Sequence, residues 1–310
     1  MKSLGINVGS SSLKLVLLDG DKAEWSQVIP HEGDFPGAVA KALSGGAVPP
    51  GTKTLVTGNE GRELFAAART IEPLCVEAAL RASALAVDAV VSMGGEDLVV
   101  YAVDSGGAIK GSFSGNKCAS GTGEFFKQQL ARMDMGLEDV AGVSQDAKAL
   151  PLSMRCSVFM KSDCTHRLNK REATKDDIVL SLSLVMATKV ADFLKRARVE
   201  KGRAILAGGT TRNPHILRYL RELLPEVEFV VPPEAPYFEA WGAALLARAS
   251  GSPFPEPSTL LREGTVGFGS LEPLSMAERL VTYFEGKTGP VVAGRKYLLG
   301  VDGGSTTTKA

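Results

Sequence analysis

The chain has 310 residues, 44% of them hydrophobic, and its 35 lysines and arginines are balanced by 35 aspartates and glutamates. That length supports one large or two medium domains with proper cores, and the balance gives no electrostatic case for a nucleic acid or a membrane as partner. Apolar stretches are interrupted, as by Arg81 and Asp88, and the N-terminus enters a strand pattern directly, so the expected compartment is the cytoplasm.

Residues 4–8 read as a short apolar strand, Gly9-Ser10-Ser11-Ser12 as a tight polar turn, and residues 13–18 as a returning strand. The hydroxyl-rich tip of this hairpin presents backbone N–H groups, hydroxyls and Lys14 to an anion, so it can cradle a phosphate; an ordinary Gly/Ser hairpin is the alternative. A helical pattern over 35–43 and a strand over 52–57 follow, the strand ending at the polar turn Gly58-Asn59-Glu60-Gly61-Arg62. Residues 76–86 read as a helix. The buried strand 89–93 then stops at Gly94-Gly95-Glu96-Asp97, and strand 98–103 begins at once. A glycine pair between two strands lets backbone approach a ligand closely, or simply makes a turn.

Apolar residues at spacings of three and four predict a long helix over 176–198. Strand 204–207 ends at Gly208-Gly209-Thr210-Thr211-Arg212-Asn213, and Pro214 is placed to start a helix over 214–224. A strand, a Gly-Gly loop and a helix N-terminus make a second plausible nucleotide contact. Strand 228–231 and a small-residue helix over 238–249 complete an α/β pattern with a mixed sheet. From Gly251 the composition turns to Pro, Gly and Ser, which reads as a linker or surface arm.

Two of the four cysteines precede helical patterns. Cys118 stands in Asn116-Lys117-Cys118-Ala119-Ser120-Gly121-Thr122-Gly123, ahead of an amphipathic helix, and Cys156 follows a short extended stretch. A helix N-terminus lowers a thiol's pKa and favours thiolate as nucleophile or metal ligand, whereas a buried structural thiol is the bland alternative. Cys75 and Cys164 form no CxxC pair with them, and no disulfide framework is read. At the other end, residues 299–309 repeat residues 4–14, which reads as the first strand and turn of a second, cut-off copy.

The hairpin, the Gly94-Gly95 turn and the Gly208-Gly209 loop together resemble the nucleotide site of the acetate kinase, sugar kinase and actin superfamily. More closely, the Cys118 motif, Cys156-Ser157-Val158-Phe159, Thr57-Gly58-Asn59-Glu60-Gly61-Arg62 and Trp241-Gly242-Ala243-Ala244-Leu245 are similar to the BadF/BadG/BcrA/BcrD group, over residues 4–248. Those proteins are ATP-dependent activators of 2-hydroxyacyl-CoA dehydratases and related benzoyl-CoA reductase subunits. The resemblance implies an α/β actin-like ATPase fold of two RNase H-like lobes, here 1–115 and 116–250, with a nucleotide cleft between them. A linker over 251–295 and the start of a second copy over 296–310 would follow.

It further implies ATP or ADP with Mg²⁺, held by Gly9, Ser10, Ser11, Ser12, Lys14, Gly94, Gly95, Gly121, Gly208, Gly209 and Asn213. A 4Fe-4S cluster would be shared across a homodimer, or with an intrachain second copy, through Cys118 and Cys156. The implied partners are a ferredoxin- or flavodoxin-like electron donor and a dehydratase or reductase as acceptor. Asn7 and Ser92 stand where the family usually has acids for hydrated Mg²⁺ and the attacking water, so Glu96 or Asp97 is the expected substitute, and this copy is expected to hydrolyse weakly. A small-molecule kinase and a non-hydrolysing structural lobe of a larger reductase are the competing readings.

Overall fold

The computed structural model describes residues 1–44, 48–58, 60–115, 122–144, 146–154, 156–256, 259–262, 274–284, 289–303 and 308–309. The chain divides into two compact units, Met1–Val266 and Gly267–Ala310.

The first unit begins with the antiparallel strands β1 (Lys2–Val8), β2 (Ser12–Asp19) and β3 (Lys22–Pro30), followed by helix α1 (Phe35–Ser44). Strand β4 (Lys53–Gly58) returns parallel to β1, a short β5 (Ala68–Arg69) pairs with β4, and helix α2 (Glu72–Ser83) leaves the sheet. Alternation in β1 and β2 sends Leu4, Ile6, Val8, Leu13, Leu15 and Leu17 to one face, where they bury against Ala38, Val39 and Ala42 of α1. The opposite face carries Val16 and Leu18.

A second sheet starts with β6 (Ala89–Met93), β7 (Leu98–Val103) and β8 (Ile109–Ser114), continues after α3 (Gly123–Arg132), α4 (Ser157–Asn169) and α5 (Lys175–Arg196), and adds β9 (Gly202–Ala207) parallel to β6. Helix α6 (Pro214–Leu223), strand β10 (Val227–Val230) and helix α7 (Phe238–Ser250) follow. Ala89, Val91 and Met93 face the α3 to α6 layer, while Val90 faces the other way with Tyr101, Val103, Ile205 and Ala207. The long α5 is held at its start by Thr174 and Asp177, each side chain accepting from the other residue's backbone N–H.

The two lobes exchange their last helices. Helix α2, which follows the first sheet, buries Val76, Ala79 and Leu80 on the second sheet, and α7, which follows the second, buries Ala240 and Ala244 on Val16 and Leu18 of the first. Small residues permit this: a Cβ on Gly242 of α7 would collide with the carbonyl oxygen of Cys75 in α2, and a Cβ on Gly5 of β1 would collide with Ala240. The result is a stack of helix, sheet, helix pair, sheet and helices.

Two sequence-based boundaries move. Residues 89–114 pair within the second sheet, so the lobes part between β5 and β6 rather than at residue 115. Residues 251–262 are not a free arm: β11 (Ser252–Pro253) pairs antiparallel with β4, Leu260 is buried, and Leu64 and Ala66 exchange backbone hydrogen bonds with Arg262 and Leu260. Apolar Phe254, Leu260 and Leu261 outweigh the local Pro and Ser content there. In the second unit, β12 (Asp302–Gly303) and β13 (Thr308–Lys309) pair Asp302 with Lys309 and Gly303 with Thr308, the register that joins Asn7 to Lys14 and Val8 to Leu13. Among the described residues no helix is long and apolar enough to cross a membrane.

Candidate functional site: the facing turns and the buried acids

The parallel strands β1 and β4 of one sheet and β6 and β9 of the other end on turns that converge. The Glu96 N–H donates to Ser10 Oγ at 3.1 Å, joining the β6–β7 turn to the β1–β2 turn. Gly95 is packed so closely on Ser11 that a Cβ there would meet its hydroxyl and oblige that side chain to turn away. Lys14 reaches back over Gly9, and the Gly9 N–H closes the turn onto Ser12 O. From the third side, Thr210 Oγ1 donates to Met93 O at 3.0 Å, setting the Gly208-Gly209 loop beside the Gly94-Gly95 turn. Backbone N–H groups of Gly123 and Glu124, the first residues of α3, donate to Gly94 O at 3.1 Å and Gly95 O at 2.8 Å. The glycine turn is thereby bonded to the helix that follows the Cys118 segment.

Below the turns lies a set of acids that sequence reasoning missed. Asn7, at the end of β1 and 2% exposed, donates from Nδ2 to Glu72 Oε1 at 3.2 Å. Ser92, at the end of β6, donates to Oε1 of Glu239 at 2.6 Å, and Glu239 is 5% exposed. Burial first, then the charge of Glu239, pushes the Glu72 carboxyl up to about 7, against the pull of Lys14 and the Asn7 hydrogen bond. Asp97 adds to that push, whereas Glu96 is exposed at the turn tip. Helix α2 begins at Glu72, ahead of the 76 that apolar spacing suggests, because Pro73 suits a first turn. The available signals were an acid directly before a proline and a single acid inside an otherwise small and apolar stretch.

Other expected residues fall elsewhere. Asn213 is consumed by the fold: Oδ1 caps α6 through His215 N and Nδ2 donates to Ser183 Oγ. Cys156 is the N-cap of the 13-residue α4, half-buried, with no acid in the first turn and with Val158 and Phe159 exposed beside it. A thiol so placed is a soft donor next to a positive helix end, which fits an iron–sulfur ligand. Cys118 and Gly121 lie outside the described residues. Burial pushes the Cys75 thiol up to about 12 and that of Cys164 up to about 11, so both remain protonated packing groups. Asn7 Oδ1 is buried with no hydrogen-bond partner among the described residues. That orphan and the two carboxylates form a hard-oxygen set that fits a divalent cation.

Residues 53–247 match the model of the BadF/BadG/BcrA/BcrD ATPase family. The activator of lactoyl-CoA dehydratase from Anaerotignum propionicum is 27% identical over 256 residues, spanning 80% of this chain and 97% of that protein. A solved structure of component A of the (R)-2-hydroxyglutaryl-CoA dehydratase of Acidaminococcus fermentans superposes with a TM-score of 0.70 at 26% identity, over 81% of this chain and 99% of the other. The activator of the 2-hydroxyisocaproyl-CoA dehydratase from Clostridium difficile, solved with bound ADPNP, gives a TM-score of 0.72 at 24% identity, over 80% and 94%. The fold is the two-lobed α/β architecture of actin-like ATPases.

Proposed function

The chain belongs to the BadF/BadG/BcrA/BcrD ATPase family, and on that premise we propose that it is an ATP-dependent iron–sulfur activator of a 2-hydroxyacyl-CoA dehydratase or a benzoyl-CoA reductase-like partner. The observation that carries this reading is the pair of hydrogen bonds from Gly123 and Glu124 to the Gly94-Gly95 turn. They make one mechanical unit of a phosphate-sized turn and the start of the helix that follows Cys118.

In this reading the hydroxyls of Ser10, Ser11 and Ser12 and the Lys14 amine hold the terminal phosphates, and the Gly208-Gly209 loop backs the nucleotide. Gly95 rests on Ser11, so a γ-phosphate entering between the turns displaces the β6–β7 turn and, through its carbonyls, the first turn of α3. Cys118 and Cys156, with the equivalent pair of a second copy, would hold the cluster, and the exposed Val158 and Phe159 beside Cys156 would give that copy an apolar face to meet. A 4Fe-4S cluster at these thiolates would supply low-potential one-electron chemistry, reloaded by a ferredoxin- or flavodoxin-like donor.

Anaerobic purification with iron and sulfide analysis and EPR tests the reading, alongside Cys118→Ser and Cys156→Ser. A cluster signal in the parent protein, lost in each variant and altered by ATP, is expected. A colourless protein after reconstitution that still binds ATP would overturn it in favour of a kinase-like role.

A further inference from the structure

Resting on that nucleotide-site reading, we propose that Glu239 of α7 is a cation ligand of this cleft, holding a hydrated divalent metal ion together with Glu72 of α2 and the amide oxygen of Asn7. The strand ends facing the turns, Asn7 on β1 and Ser92 on β6, are neutral. Each hands its side-chain donor to a carboxylate on an exchanged helix: Asn7 Nδ2 to Glu72 Oε1, and Ser92 Oγ to Glu239 Oε1. Each bond orients one oxygen of its acid and leaves Oε2 for another partner.

Placement is symmetric. Helices α2 and α7 meet backbone to backbone where Gly242 touches the Cys75 carbonyl. Glu72 lies three residues before Cys75 and Glu239 three residues before Gly242, so each carboxylate is one helical turn from the crossing, at the helix's N-terminal end. Gly5 and Asn7 share a face of β1, and Gly5 abuts Ala240, which brings Asn7 alongside the residue before it, Glu239.

Among the described residues neither acid has an ion pair within 4.0 Å. Buried carboxylates are as a rule paired or bound to metal. The independent sign is Asn7 Oδ1, buried and unpartnered among the described residues, a neutral hard oxygen on the side chain that donates to Glu72. No group of three His, Cys, Asp or Glu side chains able to hold a metal occurs among the described residues. The set is therefore not a dedicated protein cage. Two carboxylates and an amide oxygen suit an ion that keeps waters and takes phosphate oxygens for its remaining positions, as Mg²⁺ does.

The test is Mn²⁺ titration followed by EPR, with ADP present, on the parent protein, Glu239→Gln and the double variant Glu239→Gln/Ser92→Asp, plus binding of a fluorescent ADP analogue in EDTA. Loss of Glu239 should weaken Mn²⁺ by about tenfold or more, the scale on which even the partners of metal ligands act. The double variant, with an acid one bond away from the lost one, should recover most of that loss. Unchanged Mn²⁺ affinity in Glu239→Gln while the analogue still binds overturns the assignment alone. Absence of analogue binding to the parent protein, with and without metal, overturns the nucleotide reading and this inference with it. Should Glu239→Gln fail to fold, Glu239→Asp serves: a shortened ligand that leaves Mn²⁺ affinity unchanged counts against the proposal.

Discussion

Replacing Glu72 by Gln in metal-free buffer isolates the energetics of the buried acids. In the folded protein the Glu72 carboxyl is raised from 4.5 to about 7, chiefly by burial and by the charge of Glu239. Between those two values the folded state holds a proton that the unfolded chain has released, so this group favours folding most below about pH 4.5, and the advantage drains away as pH climbs through about 7. At 1.36 kcal/mol per unit, a rise of about 2.5 units is worth about 3 kcal/mol over the whole range, of which about 2.5 kcal/mol falls between about pH 5 and 8. Glutamine keeps the shape and an oxygen for Asn7 Nδ2, and carries no charge at any of these values. The expected result, from urea unfolding followed by circular dichroism in EDTA, is that Glu72→Gln gains on the parent protein by about 2.5 kcal/mol as pH rises across that window. Stability curves that stay parallel from the acid to the alkaline end would refute the reasoning.

Gly242→Val drives side-chain carbons into the Cys75 carbonyl and should lower stability by about 3 kcal/mol, read as a fall in Tm of several degrees; an unchanged Tm would mean that α2 and α7 do not cross there. Lys14→Ala should weaken ADP about tenfold by calorimetry, because the Lys14 amine lies over the Gly9 turn. Alkylation of the native protein at about pH 8, followed by mass spectrometry, should spare Cys75 and Cys164, whose buried thiols stay protonated. Rapid labelling of either would show that its part of the core opens.

Much of the frame was readable along the chain because it rests on local signals. The hairpin around Gly9 to Ser12, the glycine pairs at 94 and 208 and the long α5 are set by turn chemistry and period, and these coincide with observed elements. Strands β3 and β8 gave no such signal: most of β3 is exposed or half-exposed, and β8 alternates half-buried with exposed residues through Gly111, Ser112 and Ser114. The lobe boundary was illegible for another reason. Strands β6 to β8 join a sheet whose remaining members arrive about a hundred residues later, and pairing at that distance leaves no mark on local composition. Glu239 was hidden likewise, since its meaning comes from Ser92 across the fold. Reading the strand ends alone showed neutral side chains at 7 and 92; only the tertiary structure shows a carboxylate hydrogen-bonded to each.

The exchange of α2 and α7 also governs what can be cut and what can move. A chain stopped before residue 238 would leave Val16, Leu18 and the groove at Gly5 bare to water, so neither lobe is a self-sufficient folding unit and a two-fragment protein would assemble only by trading helices. For the intact chain, the two helices meet at the backbone seam of Gly242 on Cys75, with Phe238 and Trp241 of α7 packed in the same cluster as Val76, Ala79 and Leu80 of α2. The layout is that of a pair of scissors: the blades are the facing turns, the rivet is that seam, and the acids sit one turn in front of it.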